Sequence, residues 1–76
     1  MKKIGQFDIP KDVFIRNEKA YKSILNERSF EMLRLRTLED MTYISIAKLY
    51  GVSTSRIRQI CARSVDKIEQ ARYEIR

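Results

Sequence analysis

Arg58 and Gln59 are adjacent, and each ends in a planar group that makes two hydrogen bonds at once. The arginine fork suits the two major-groove acceptors of guanine, and the glutamine amide suits the donor and acceptor of adenine. Thr54 and Ser55, about one turn earlier, add hydroxyls that serve either kind of base edge. These four are the candidate base-reading residues. Arg56, Arg63 and Lys67 along the same stretch, with Thr42 ahead of it, are the candidate phosphate contacts, whose attraction is independent of sequence and sensitive to salt. A polar face turned to solvent contains the same residue types. The pattern therefore has force only through the elements that place it.

Other chemistry finds little support. The chain has no histidine and a single cysteine, Cys61. An internal disulfide is excluded, and a zinc site would rest on carboxylates and one thiol. General acid–base work at neutral pH would proceed without histidine, so neither a metal, a cofactor nor an enzymatic activity is expected. At 76 residues, 43% hydrophobic and 34% charged, the chain suits one globular domain with no room for a separate catalytic pocket. Gly5, Gln6 and Asp8 interrupt any apolar run after Lys2 and Lys3, and no stretch is long enough to span a bilayer. A cytoplasmic protein with no membrane partner is expected. The formal charge of +6 divides into +3 over residues 1–26, zero over 27–50 and +3 over 51–76. It points to a polyanionic partner concentrated at the two ends of the chain.

Gly5, Gly51 and Pro10 are the only strong breakers of backbone regularity, which favours an all-α fold over a many-turned β architecture. Residues 1–9 lack periodicity and read as a flexible tail ahead of a single helical domain at 10–76. Val13, Phe14, Ala20, Tyr21, Ile24 and Leu25 recur at helical spacing and predict a first helix over 11–25. Asn26 is suited to cap a second, which runs to about Arg36 with Phe30, Met32, Leu33 and Leu35 dense enough to be buried on more than one side. After a connector at 37–41, Thr42 caps a third helix ending at Gly51, where glycine accepts the left-handed conformation. Ser53 caps the fourth. Ile57, Cys61, Ser64, Ile68, Ala71 and Ile75 predict that this last helix continues to residue 75.

The last two predicted helices fit a helix-turn-helix at about 42–68 position by position. Ile46, Tyr50, Val52, Ile57 and Ile60 fall where the helices face each other and the core, Ala47 where only a small side chain fits, and Gly51 in the turn. At about 100° per residue, Ile57, Ile60, Cys61, Ser64 and Ile68 share one side, leaving Ser55, Arg58, Gln59, Ala62 and Arg63 opposite. Cys61 is thereby a packing residue. Asp66 on the outer face would repel phosphate, but recognition helices insert their N-terminal end.

Glu27-Arg28, Met32-Leu33-Arg34-Leu35-Arg36, Ile46 to Ser53, and Arg56-Ile57-Arg58-Gln59-Ile60 with Ala62, Arg63 and Lys67 resemble region four, the C-terminal domain of bacterial primary sigma factors. The resemblance spans about residues 26–68. It implies a domain that reads the minus-35 promoter element while docking on the flap of the RNA polymerase β subunit. It also implies that Arg58 and Gln59 contact bases, and that Arg63 lies near phosphates or activator proteins. Thr54 and Ser55 depart from the family's arginine and glutamate, and glutamate suits cytosine, so the target is expected to differ from the usual minus-35 sequence. Thr37 to Met41 also replace a glycine-containing loop.

The expected function is a sequence-specific transcription regulator that binds double-stranded DNA. The alternative is an interaction module that binds polymerase or an anti-sigma factor without reading DNA. These residues leave no space for a domain that melts the minus-10 element. Half of a split sigma factor paired with another sigma-like subunit, a phage or mobile-element regulator, and an excerpt of a longer chain all fit. The apolar stripe of the last helix needs cover: packing beneath Phe14, Tyr21 and Ile24 of the first helix, as a monomer, is favoured over pairing of two chains.

Overall fold

The computed structural model describes residues 9–71, which form five helices: α1 (Lys11–Arg16), α2 (Glu18–Ile24), α3 (Glu27–Leu38), α4 (Tyr43–Tyr50) and α5 (Thr54–Gln70). The all-α helix-turn-helix architecture is as expected from the sequence. The caps are too. The side chains of Asn26, Thr42 and Ser53 accept the amides of Ser29, Ser45 and Arg56 at 2.8, 3.1 and 3.1 Å, each satisfying a donor that the first helical turn leaves unpaired.

The first predicted helix is two. Asn17, at φ −110° and ψ 16°, separates α1 from α2. Its side-chain Nδ2 donates to the Val13 carbonyl at 2.9 Å, and its own amide donates to the same oxygen at 3.1 Å. This local bonding is the competition that makes asparagine a poor residue inside a helix. The aromatic residues on either side of the break remain together in the core: the Phe14 and Tyr21 rings meet edge to face at 5.4 Å, and Phe14 stacks on Phe30 at 5.6 Å. Ile9, read as part of the tail, is only 4% exposed and belongs to this core. Residues 1–8, the rest of the expected tail, lie outside the described residues.

The second predicted helix extends two residues past Arg36, to Leu38, so the connector is shorter than expected. Asp40 takes the left-handed conformation at φ 55°, and the Met41 amide closes back on the Leu35 carbonyl at 3.2 Å. Asparagine and aspartate tolerate this region better than other residues with a Cβ. Lys11 reaches Asp40 at 2.7 Å, tying the start of α1 to this turn. Phe30, Met32, Leu33, Leu35 and Thr37 of α3 are all buried, as a scaffold helix covered on several sides requires.

Gly51 ends α4 at φ 68°, and the amides of Gly51 and Val52 both turn back to the Ala47 carbonyl. Ile46, Ala47 and Ile57 are buried where α4 meets α5, with Tyr50, Val52 and Ile60 partly buried against them. α5 packs mainly on α3 and α4 and also touches α2. Its buried face is Ile57, Cys61, Ser64, Val65 and Ile68. Val65, outside the predicted stripe, lies four residues from Cys61 and three from Ile68 and joins the same face. Ser64 is accommodated there because its hydroxyl donates to the Ile60 carbonyl at 2.8 Å. Up to Ile68 the stripe is covered within one chain. Beyond it, α5 ends at Gln70 and Ala71 is an exposed turn residue; the predicted continuation over 72–75, with Ile75, lies outside the described residues. No helix among the described residues is long and apolar enough to cross a membrane.

Candidate nucleic-acid interface

The side chains singled out for chemistry all lie on α5 or at the start of α4. Ser53 caps α5 and Gly51 ends α4 in the left-handed conformation; in the first turns of α5, Ser55, Arg56, Arg58 and Gln59 are exposed and Thr54 is half-buried. Arg63 and Lys67 continue the exposed side one and two turns later. Thr42 is exposed at the start of α4, but its hydroxyl already serves Ser45, accepting from the amide and donating to the side-chain oxygen at 3.0 Å. Ala62, expected on the outer face, is half-buried.

These residues divide into two flanks. Arg56, Arg63 and Lys67 line a cleft of about 760 Å³ between α5 and the start of α3, where Asn26, Glu27 and Arg28 form the opposite wall and Leu25, Val52 and Ile60 contribute apolar lining. Across this flank Arg56 Nη1 donates to Gln59 Oε1 at 3.2 Å. Arg58 lies on the other flank, toward α4, with its guanidinium carbon 5.7 Å from the centre of the Tyr43 ring. The Arg36 guanidinium lies 5.0 Å from the same ring.

The electrostatics set both flanks of α5 apart from α3. Among the described residues, no carboxylate forms an ion pair with Arg56, Arg58, Arg63 or Lys67. On α3, by contrast, Arg34 bonds to Glu31 at 2.6 Å and approaches Glu39 at 3.5 Å. That hydrogen bond is the main cause that holds the Glu31 carboxyl below its ordinary value and the Arg34 guanidinium above its own, against a smaller opposing effect of burial. Burial pushes the Tyr50 phenol up, with the Arg28 guanidinium 5.5 Å from the ring centre. An exposed, unneutralised basic face on the second helix of a helix-turn-helix is the arrangement that enters a major groove.

The model of the family described as Sigma-70, region 4 matches residues 23–70, more than half of the chain. The chain belongs to the sigma-70 region 4 family. It is a sigma-type DNA-binding helix-turn-helix domain. Neither the curated proteins nor the solved structures returned a match. Within the region 4 match lie both helix-turn-helix elements, the scaffold helix α3 and the end of α2, whereas α1 precedes it. Two residues beside the candidate interface have no role predicted from the sequence. Arg28 faces the cleft and Tyr43 carries Arg58, and both depend on how α3, α4 and α5 cross. The aromatic-to-arginine pairing of residues 43 and 58 has no local spacing rule that would reveal it.

Proposed function

We propose that the protein is a sequence-specific transcription regulator that inserts α5 into the major groove of double-stranded DNA and engages RNA polymerase near the minus-35 region. The observation that carries this reading is the exposed, unneutralised set of Arg56, Arg58, Arg63 and Lys67 on the recognition helix of a region 4 fold. Arg58 and Gln59, with Thr54 and Ser55, read base edges, while Arg56, Arg63, Lys67 and Thr42 contact phosphates. The cover of α5 by α3 and α4, with α2, within one chain supports a monomer, and no catalytic role enters the proposal.

Selection of preferred sites from random duplex DNA, followed by affinity measurements, tests it. Arg58→Ala or Gln59→Ala is expected to cost about 1–3 kcal/mol at the preferred site and much less on other duplexes. Equal losses on all sequences would reduce both residues to phosphate contacts. No selected site at all would favour the second reading, an interaction module for polymerase or an anti-sigma partner. That reading draws on Thr54 and Ser55, and on Ile44 and Leu49, which α4 leaves 58% and 62% exposed.

A further inference from the structure

Arg58 is a long side chain on an exposed helix, and an unrestrained arginine must lose considerable rotamer freedom before its fork can address one base. Here it is not unrestrained: Tyr43 lies beside it across the α4–α5 contact. The ring is itself well anchored. Tyr43 is the first residue of α4, directly after the Thr42 cap, partly buried against the core and approached from α3 by Arg36. Three helices thus converge on one aromatic side chain. A carboxylate in that place would engage the N–H donors of the guanidinium and neutralise it. An aromatic ring attracts the cation through its face and leaves the in-plane donors available.

We infer that Tyr43 is a positioning residue for Arg58, holding the guanidinium on the α4 flank of α5 so that its donors are ordered before DNA arrives. The inference rests on the proposed reading of Arg58 as a base contact. Because Tyr43 acts through Arg58, its loss falls on the base that Arg58 reads and not on affinity in general. Arg36 steadies the ring from the α3 side, which ties the orientation of the reading side chain to the scaffold helix.

The test combines nuclear magnetic resonance of the free protein with binding of Tyr43→Phe, Tyr43→Leu, Arg58→Ala and the Tyr43→Leu/Arg58→Ala pair. The probes are the selected duplex, the same duplex altered at the base most affected by Arg58→Ala, and a random duplex. In the parent and Tyr43→Phe, the ring current shifts the Arg58 δ-methylene protons upfield; in Tyr43→Leu the shift is lost. Tyr43→Leu weakens binding to the selected duplex by about two- to fivefold, the scale of an exposed cation–ring contact. It has little effect on the altered or random duplex and adds nothing in the Arg58→Ala background, while Tyr43→Phe binds as the parent does. An unshifted Arg58 in the parent overturns the inference even if Tyr43→Leu does not fold, and leaves the DNA reading intact so long as Arg58→Ala still loses affinity. Uniform losses across duplexes, or additivity with Arg58→Ala, also overturn it. Parent-like binding by Arg58→Ala defeats the base-reading assignment, and the positioning role with it.

Discussion

α3 and α5 both carry several arginines, yet among the described residues they differ in the carboxylates that meet them. On α3, Arg34 is bound to Glu31 and Glu39, while Arg28 and Arg36 lie over the Tyr50 and Tyr43 rings. On α5, Arg58 shares the Tyr43 ring, the Arg56 guanidinium donates to the Gln59 amide oxygen, and none of Arg56, Arg58, Arg63 and Lys67 pairs with a carboxylate among the described residues. The helices also differ in burial: α3 is covered on several sides, whereas α5 buries one stripe and exposes the rest. The role of an arginine therefore depends on whether the fold supplies its counter-charge. Where it does, the residue serves the scaffold. Where it does not, the positive potential remains available for a polyanion.

The contrast breaks most visibly in the core of α3. Leu33→Ala removes a fully buried side chain and is expected to lower stability by about 2–5 kcal/mol, the range for a leucine-sized cavity that relaxes only in part. Urea denaturation of this variant beside Arg63→Ala checks the comparison. A loss below about 1 kcal/mol for Leu33→Ala would place it outside the usual range for a tightly packed core.

The turn that sets the angle of α5 comes next. Gly51 has φ 68°, and a Cβ built there meets nothing within 4 Å, so the cost of substitution is one of backbone conformation and not of collision. Gly51→Val is expected to lose about 1–2 kcal/mol or somewhat more, because β-branched residues are especially disfavoured at positive φ. Gly51→Asn should recover much of that loss. Equal thermal melts for the two variants would mean that a steric clash, or no strain at all, governs the position.

Two arginine substitutions separate the helices at the level of charge. Arg63→Ala is expected to lower affinity on every duplex and to reduce the slope of log affinity against log salt by about one, with an unchanged melting temperature. Arg34→Ala should do the reverse, lowering stability modestly and leaving the salt slope as it was. If both variants change the slope alike, the distinction between scaffold and interface arginines fails.

The smallest effect concerns the carboxylate partner of Arg34. Glu31→Gln is expected to cost about 0.2–0.5 kcal/mol at neutral pH, since the pair is part-exposed and three residues apart on one helix. The Glu31 carboxyl is held below its ordinary value of 4.5 by the Arg34 bond. Its contribution is therefore fully present above that value and disappears as pH falls through the lower value in the folded protein. Parent and variant stabilities should converge in acid, and a difference that persists there would assign it to packing.

Features that act within a few residues are legible in the chain alone. Asn26, Thr42 and Ser53 announce helix starts, because each need only reach an amide three positions on. Gly51 marks the turn through its own backbone freedom. The buried stripe of α5 and the exposure of Arg58, Gln59, Arg63 and Lys67 follow from helical periodicity, which depends on no partner. Other features follow from how the helices pack. The break at Asn17 is bonded locally, through Val13, but is concealed by an apolar pattern that continues through it, whereas the burial of Ile9 depends on a core assembled from distant residues. Asp40 adopts a left-handed conformation where sequence rules look for glycine, with the amide of Met41 bonded to Leu35 and its own side chain bound to Lys11, 29 positions away. The Tyr43 contact with Arg58 and the place of Arg28 in the cleft likewise arise only once α3, α4 and α5 cross. Caps and periodicity are properties of a single helix, whereas the partner of an aromatic ring or a guanidinium is set by the angle and offset at which helices pack, and no local spacing in the chain encodes that.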